Sequence, residues 1–135
     1  MLQGPGSTSE LIECSDELCG KVLDAATDVH RCLGPGLLES IYEKALVIEL
    51  AERNISARCQ VEVPVFYKGV ELGKGYYADI VVEDCLLLEL KSVEQLTPVH
   101  LAQVMTYQKL LQIKRGYLLN FNTRLLKHGI KRVSI

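Results

Sequence analysis

A mixed α/β domain, one β-sheet covered by helices, is the fold class this chain predicts. Three observations carry it. Two stretches of helical apolar spacing come first, β-branched and alternating runs follow, and a third helical stretch separates those runs from two more. The element order is α-α-β-β-β-α-β-β, with a mixed central sheet flanked by helices. The 135 residues suit one domain, and 48% apolar with 24% charged residues exclude a disordered chain. No apolar run approaches the roughly 20 residues that cross a bilayer, and no basic-then-apolar signal opens the chain. No membrane partner and a cytoplasmic location are therefore expected.

Residues 1–14 read as a flexible leader, rich in Gly4, Pro5, Gly6, Ser7, Thr8 and Ser9, and residues 15–135 as the single domain. Ser15 is placed to cap a first helix, whose Leu18, Val22, Ala25, Ala26, Val29 and Leu33 recur at threes and fours. Gly34-Pro35-Gly36 stops it. A second helix is expected at once, with Leu37, Leu38, Ile41, Tyr42, Ala45, Leu46 and Ile48 as its apolar stripe and an end near Arg53-Asn54. The period then changes to two. Val61, Val63 and Val65 alternate with polar residues in a strand that Pro64 places near a sheet edge. After a turn at Lys68-Gly69 come two β-rich runs, Tyr76 to Val82 and Leu86 to Lys91, joined by Glu83-Asp84-Cys85. Pro98 suits the first turn of a third helix reaching about Ile113. Gly116 to Phe121 and Ile130 to Ile135 supply the last two strands.

The run Leu86-Leu87-Leu88-Glu89-Leu90-Lys91 is apolar enough for a buried central strand, yet it holds two charges. Burying unpaired charges costs several kcal/mol, on the order of what a whole domain has to spare, so Glu89 and Lys91 need partners. Alternation puts Leu87, Glu89 and Lys91 on one face, and Tyr77, Asp79 and Val81 on one face of the preceding run. With a three-residue loop, Asp79 falls opposite Glu89, whereas a two-residue loop separates them onto opposite faces. Glu39 lies at the border of the second helix's apolar stripe and can look toward the sheet. Acids from a helix and two strands suggest a hard-cation site with oxygen ligands. A structural Glu89–Lys91 ion pair is the open alternative.

These residues resemble a known pattern. Asp79 followed by Glu89-Leu90-Lys91 is similar to the D…(D/E)-x-K signature of the PD-(D/E)XK nuclease superfamily. Gly36-Leu37-Leu38-Glu39-Ser40-Ile41-Tyr42 resembles the motif of its GxxExxY branch, and Gln103 with Tyr107 resembles a Q-x-x-x-Y element. Where the superfamily has Pro-Asp, this chain has Ala78-Asp79, and proline is not a ligand. The resemblance implies a restriction-endonuclease-like core and a metal-dependent domain that hydrolyses nucleic-acid phosphodiester bonds. It implies Mg²⁺ or Mn²⁺ held by Asp79, Glu89, the Leu90 carbonyl and Glu39. It further implies Lys91 and Gln103 as catalytic groups, with Tyr42 and Tyr107 in support. The alternative is a non-catalytic nucleic-acid- or protein-binding module that keeps the fold.

Charge is uneven along the chain. Residues 1–94 carry all 17 acids and eight Lys/Arg, net −9, whereas residues 95–135 carry seven Lys/Arg and no acid. Arg124, Lys127, Lys131 and Arg132 are thus candidates for a phosphate-binding edge on DNA or RNA. The small size leaves room for a homodimer or a partner protein that supplies target recognition. Tyr42 also reads as core packing, and Tyr76 or Tyr77 could stack on a base. His30, His100 and His128 read as surface or cap residues. Five cysteines with no CxxC pair argue against a disulfide framework or structural zinc.

Overall fold

The computed structural model describes residues 13–135, so the leader expected over 1–14 lies outside the described residues but for its last two. Of those, Cys14 is buried against Cys19 of the first helix, with 3.2 Å between sulfurs. Helix α1 (Asp16–Leu33) starts where the Ser15 hydroxyl accepts the Leu18 N–H, satisfying one of the donors a helix start leaves unpaired. It ends at Gly34, whose φ of 73° is a backbone state that side chains disfavour.

Helix α2 (Glu39–Glu52) buries Tyr42, Leu46 and Leu50, spaced by four along one line. Leu37, Leu38, Ile41 and Ile48, expected on the same stripe, are exposed. Leu37 and Leu38 precede the helix, and the other two are rotated off the line that starts at Tyr42. Tyr42 itself is a fastener. Its hydroxyl donates to the Gly34 carbonyl at 2.6 Å and accepts the Leu37 N–H, while its ring stacks on Phe121 at 4.5 Å.

The expected order of elements is present with one addition. Strand β1 is Ala57–Glu62, and the chain then leaves the sheet for a separate hairpin, β2 (Val65–Tyr67) and β3 (Val70–Gly73), turning at Lys68-Gly69. Val61 and Val65 therefore belong to different strands, because Pro64 offers no N–H to continue the ladder. Strands β4 (Tyr77–Val82) and β5 (Leu86–Lys91), helix α3 (Pro98–Leu111), β6 (Arg115–Asn120), a short 3₁₀ turn (Leu126–Gly129) and β7 (Ile130–Ser134) complete the domain. The sheet order is β1-β4-β5-β6-β7, and only β5 and β6 run parallel, joined by α3 as the crossover.

Strand β5 lies at the centre of this sheet. Leu86, Leu88 and Leu90 pack under α1 and α2, while Leu87 packs on the opposite face under α3. Each such leucine contributes about 1.5–3 kcal/mol by leaving water, which fixes the strand that carries both charges. Beyond its end, buried Asn120 ties down the following loop, accepting the Val93 and Asn122 N–H groups and donating to the Val93 carbonyl. Gly129 sits so close that a Cβ there would lie 2.2 Å from the Asn120 carbonyl oxygen. Among the described residues no helix is long and apolar enough to cross a membrane.

Candidate active site

The loop Glu83-Asp84-Cys85 has three residues, since Val82 pairs with Leu86, Val81 with Leu87 and Ile80 with Leu88. Glu83 and Asp84 take the left-handed backbone this tight loop needs, with φ of 51° and 55°. Pairing ends at Ile80 and Leu88, and the next positions along the two strands are Asp79 and Glu89. Their carboxylates take over from the ladder. Glu89 accepts the Asp79 N–H at 2.7 Å, and Asp79 accepts the Leu90 N–H at 2.8 Å.

A slip in the strand alternation aims Asp79. Ile80 packs under α1 and α2, whereas Val81 and Ala78, three residues apart, both pack under α3. Strand β1 slips at the same place: Arg58 and Val61 both line the α3 side, and Gln60, between paired Cys59 and Val61, has a φ of 50°. Irregularities of this kind re-aim side chains beside active sites. Here Asp79 turns so that the Gln60 side-chain amide donates to it at 3.4 Å and to both Glu43 oxygens at 3.0 and 3.2 Å.

The electrostatics are those of like charges in a dry place. Glu89 is only 4% exposed, and burial, then the neighbouring Asp79 charge, push its carboxyl up to about 8. Burial, followed by Glu43, also raises Asp79. The half-buried Lys91 ammonium pulls both down without reversing either shift. Desolvation is thus the larger effect, and the cation already present does not neutralise the pair. Tyr107 of α3 joins from the face that Leu87 and Glu89 share, its hydroxyl raised by burial and then by Glu89.

The other expected residues arrange themselves around this pair. Gln103 is exposed and lines a cleft with Tyr76 and Tyr107, whose rings meet edge to face at 6.5 Å. Glu39 is exposed at the first residue of α2 and lines a second cleft with Ser92, the residue after Lys91. Among the described residues no three His, Cys, Asp or Glu side chains converge closely enough to hold a metal ion, so Glu39 does not complete a three-acid set here. The basic residues Arg124, Lys127, Lys131 and Arg132 are all exposed, but they do not share one face. Lys131 lines a third cleft with Asn120 and His128, whereas the next residue, Arg132, acts on Asp16 at the start of α1. Adjacent strand positions point to opposite faces, which divides the group. His30, expected as a surface or cap residue, is buried and lies 2.8 Å from the Thr123 carbonyl, and His100 completes the cap of α3.

Sequence reasoning missed Glu43 and Gln60. Glu43 carried a usable signal, because it lies one helical turn after Glu39 on the same face. Gln60 carried none, since its direction follows from backbone slips in two strands.

A family model described as the PD-(D/E)XK nuclease superfamily matches residues 16–133 of the chain. No curated protein and no solved structure matches it.

Proposed function

The chain belongs to the PD-(D/E)XK nuclease superfamily, and on that premise we propose that it is a metal-dependent nuclease that hydrolyses nucleic-acid phosphodiester bonds. The observation that carries this reading is the Asp79–Glu89 pair: a buried and a half-buried carboxylate at the mouth of a strand pair, both raised, with one lysine that does not reverse either shift. Clustered carboxylate oxygens whose ionisation is disfavoured by burial and by each other are donors that a hard divalent cation stabilises, so the residues fit Mg²⁺ or Mn²⁺. Asp79, Glu89 and the Leu90 carbonyl would hold the ion, and Glu39 would contribute directly or through water. Such an ion activates water and neutralises charge developing on phosphate oxygens.

The chain's own groups do the rest. The Asp79 and Leu90 N–H groups hold the two carboxylates in place before any ligand arrives. Lys91, on the same strand as Glu89, orients the attacking water or steadies the phosphate. Gln103 positions the phosphate or the water, with Tyr107 in support, and Tyr42 supports indirectly by fastening Gly34 and Leu37 beside Glu39. Gly36, Glu39 and Tyr42 support membership of the GxxExxY branch. A homodimer or a partner protein supplies target recognition, in keeping with the small size of the 135-residue chain. The odd number of scattered cysteines, with no CxxC pair, supports a cytoplasmic setting.

A second reading, a nucleic-acid- or protein-binding module without turnover, draws on the lack of a three-ligand cluster among the described residues. One experiment separates the two. A panel of single- and double-stranded DNA and RNA is incubated with Mg²⁺ or Mn²⁺ beside Lys91→Ala. Cleavage by the wild type, lost in chelator and in the variant, supports the nuclease. Retention of nucleic acid without cleavage supports the module.

A further inference from the structure

We propose that Gln60, itself held by Glu43, is a positioning residue that fixes the orientation of the Asp79 carboxylate. This rests on the reading of Asp79 and Glu89 as the cation-binding pair and adds two residues that no motif of the chain contains. Three observations carry it.

The first is the hydrogen bonding. The Gln60 amide nitrogen lies 3.0 and 3.2 Å from the Glu43 oxygens and 3.4 Å from Asp79 Oδ1. Ionised carboxylates only accept, so the group between them must be the NH₂ edge, and the opposite amide orientation would set a carbonyl oxygen against three others. Asp79 Oδ2 is meanwhile fixed by the Leu90 N–H. Each oxygen of Asp79 is thus held by a different neighbouring strand.

The second is backbone strain. Gln60 has a φ of 50°. A left-handed state costs a non-glycine residue about 1–3 kcal/mol and persists only where surrounding contacts over-determine it. The contacts at this position are the two acids. The third is register. Pairs flank the position on both sides, Cys59 with Ile80 and Val61 with Ala78, so Gln60 lies across from Asp79, where both strands slip. With the regular alternation restored, Gln60 and Asp79 would not both face Glu43.

The test uses the full chain. Gln60→Met keeps the length and removes the donor, and Gln60→Gly also relieves the left-handed backbone. Glu43→Gln removes the charge that fixes the amide. Because Gln60 is exposed, none of these variants opens the core. In chelator, the ¹³C carboxyl resonance of Asp79 is expected to move in all three variants and to stay in place in Glu62→Gln, an exposed control on the same strand. Titrated with Mn²⁺ by calorimetry, Gln60→Met and Gln60→Gly are expected to bind about tenfold more weakly than wild type. The double variant Gln60→Met/Glu43→Gln should lose no more than the worse single one, because the two act as a unit. Unmoved Asp79 resonances overturn the proposal. So does Mn²⁺ affinity that is unchanged or higher while the melting temperature falls, since Gln60 would then be a scaffold residue or a competitor of the ion. A wild type that binds no Mn²⁺ removes the metal reading, and the chelator spectra still decide whether Gln60 holds Asp79.

Discussion

Two pairs of acids in this molecule are treated in opposite ways. Asp28 of α1 and Glu49 of α2 share one guanidinium, that of Arg53, which donates to both and fastens the two helices at their solvent side. Glu89 is buried and Asp79 half-buried, and the pair receives backbone N–H groups, the Gln60 amide and a lysine that leaves both raised. The first pair is a balanced surface clamp of modest value. The second is an imbalance held in place by leucines on both faces of β5, which a scaffold would have no reason to keep. On the proposed reading, the difference separates structural charge from charge placed for a cation.

The largest expected effect that sharpens this contrast is on turnover. Asp79→Asn, Glu89→Gln and Lys91→Ala should each lower Mg²⁺- or Mn²⁺-dependent cleavage about a hundredfold or more, whereas Arg53→Met should leave the rate per folded molecule unchanged. Steady-state cleavage of a labelled oligonucleotide reads both.

The next effect is on stability, and it uses the tie between Asn120 and Gly129. Gly129→Ala places a methyl group 2.2 Å from a backbone oxygen, an overlap only a main-chain shift relieves. Overpacking of this kind typically costs about 1–3 kcal/mol, or several degrees in melting temperature for a domain of this size. Arg53→Met, by contrast, should cost no more than about 1 kcal/mol because the clamp is solvated.

A smaller effect appears with pH. Glu89 rises from 4.5 unfolded to about 8 folded, so between these values the folded state binds the extra proton. Metal-free stability should therefore fall as pH rises through that window, by at most about 1.4 kcal/mol per pH unit. Glu89→Gln should flatten this slope, and denaturant melts in chelator from pH 5 to 8 measure it.

The smallest effect concerns the basic end. Replacing Lys127, Lys131 and Arg132 together should flatten the salt dependence of nucleic-acid binding, which falls with a slope near −0.9 per duplex phosphate neutralised. Since Lys131 and Arg132 face opposite sides, Lys131→Ala alone should account for more of the change than Arg132→Ala. Equal contributions from the two would argue against that division.

Much of this was legible in the residues. Ser15 and Pro98 marked helix starts, the leucines of β5 marked the central strand, and the count of Glu83-Asp84-Cys85 placed Asp79 beside Glu89. What escaped depended on breaks in period. Val61, Val63 and Val65 alternate as one strand would, but Pro64 divides them between the sheet and a separate hairpin. The apolar residues Leu38, Ile41 and Ile48 fit a helical stripe, yet only the line through Tyr42, Leu46 and Leu50 meets the sheet. Gln60 looked like any polar edge residue because a left-handed backbone leaves no mark in composition or spacing.

The most direct measurement of the central claim is thermal melting of the wild type, Asp79→Asn and Glu89→Gln, each with chelator and with Mn²⁺ or Mg²⁺. A cation that binds only the folded state stabilises it by about 2.7 kcal/mol at a hundredfold excess over Kd, a rise of several degrees here. The expected result is that rise in the wild type alone, with both variants in chelator at least as stable as metal-free wild type because each relieves the repulsion. Glu89→Gln melting well below wild type in chelator, with no metal-dependent rise in either, would contradict it and make Glu89 a structural partner of Lys91.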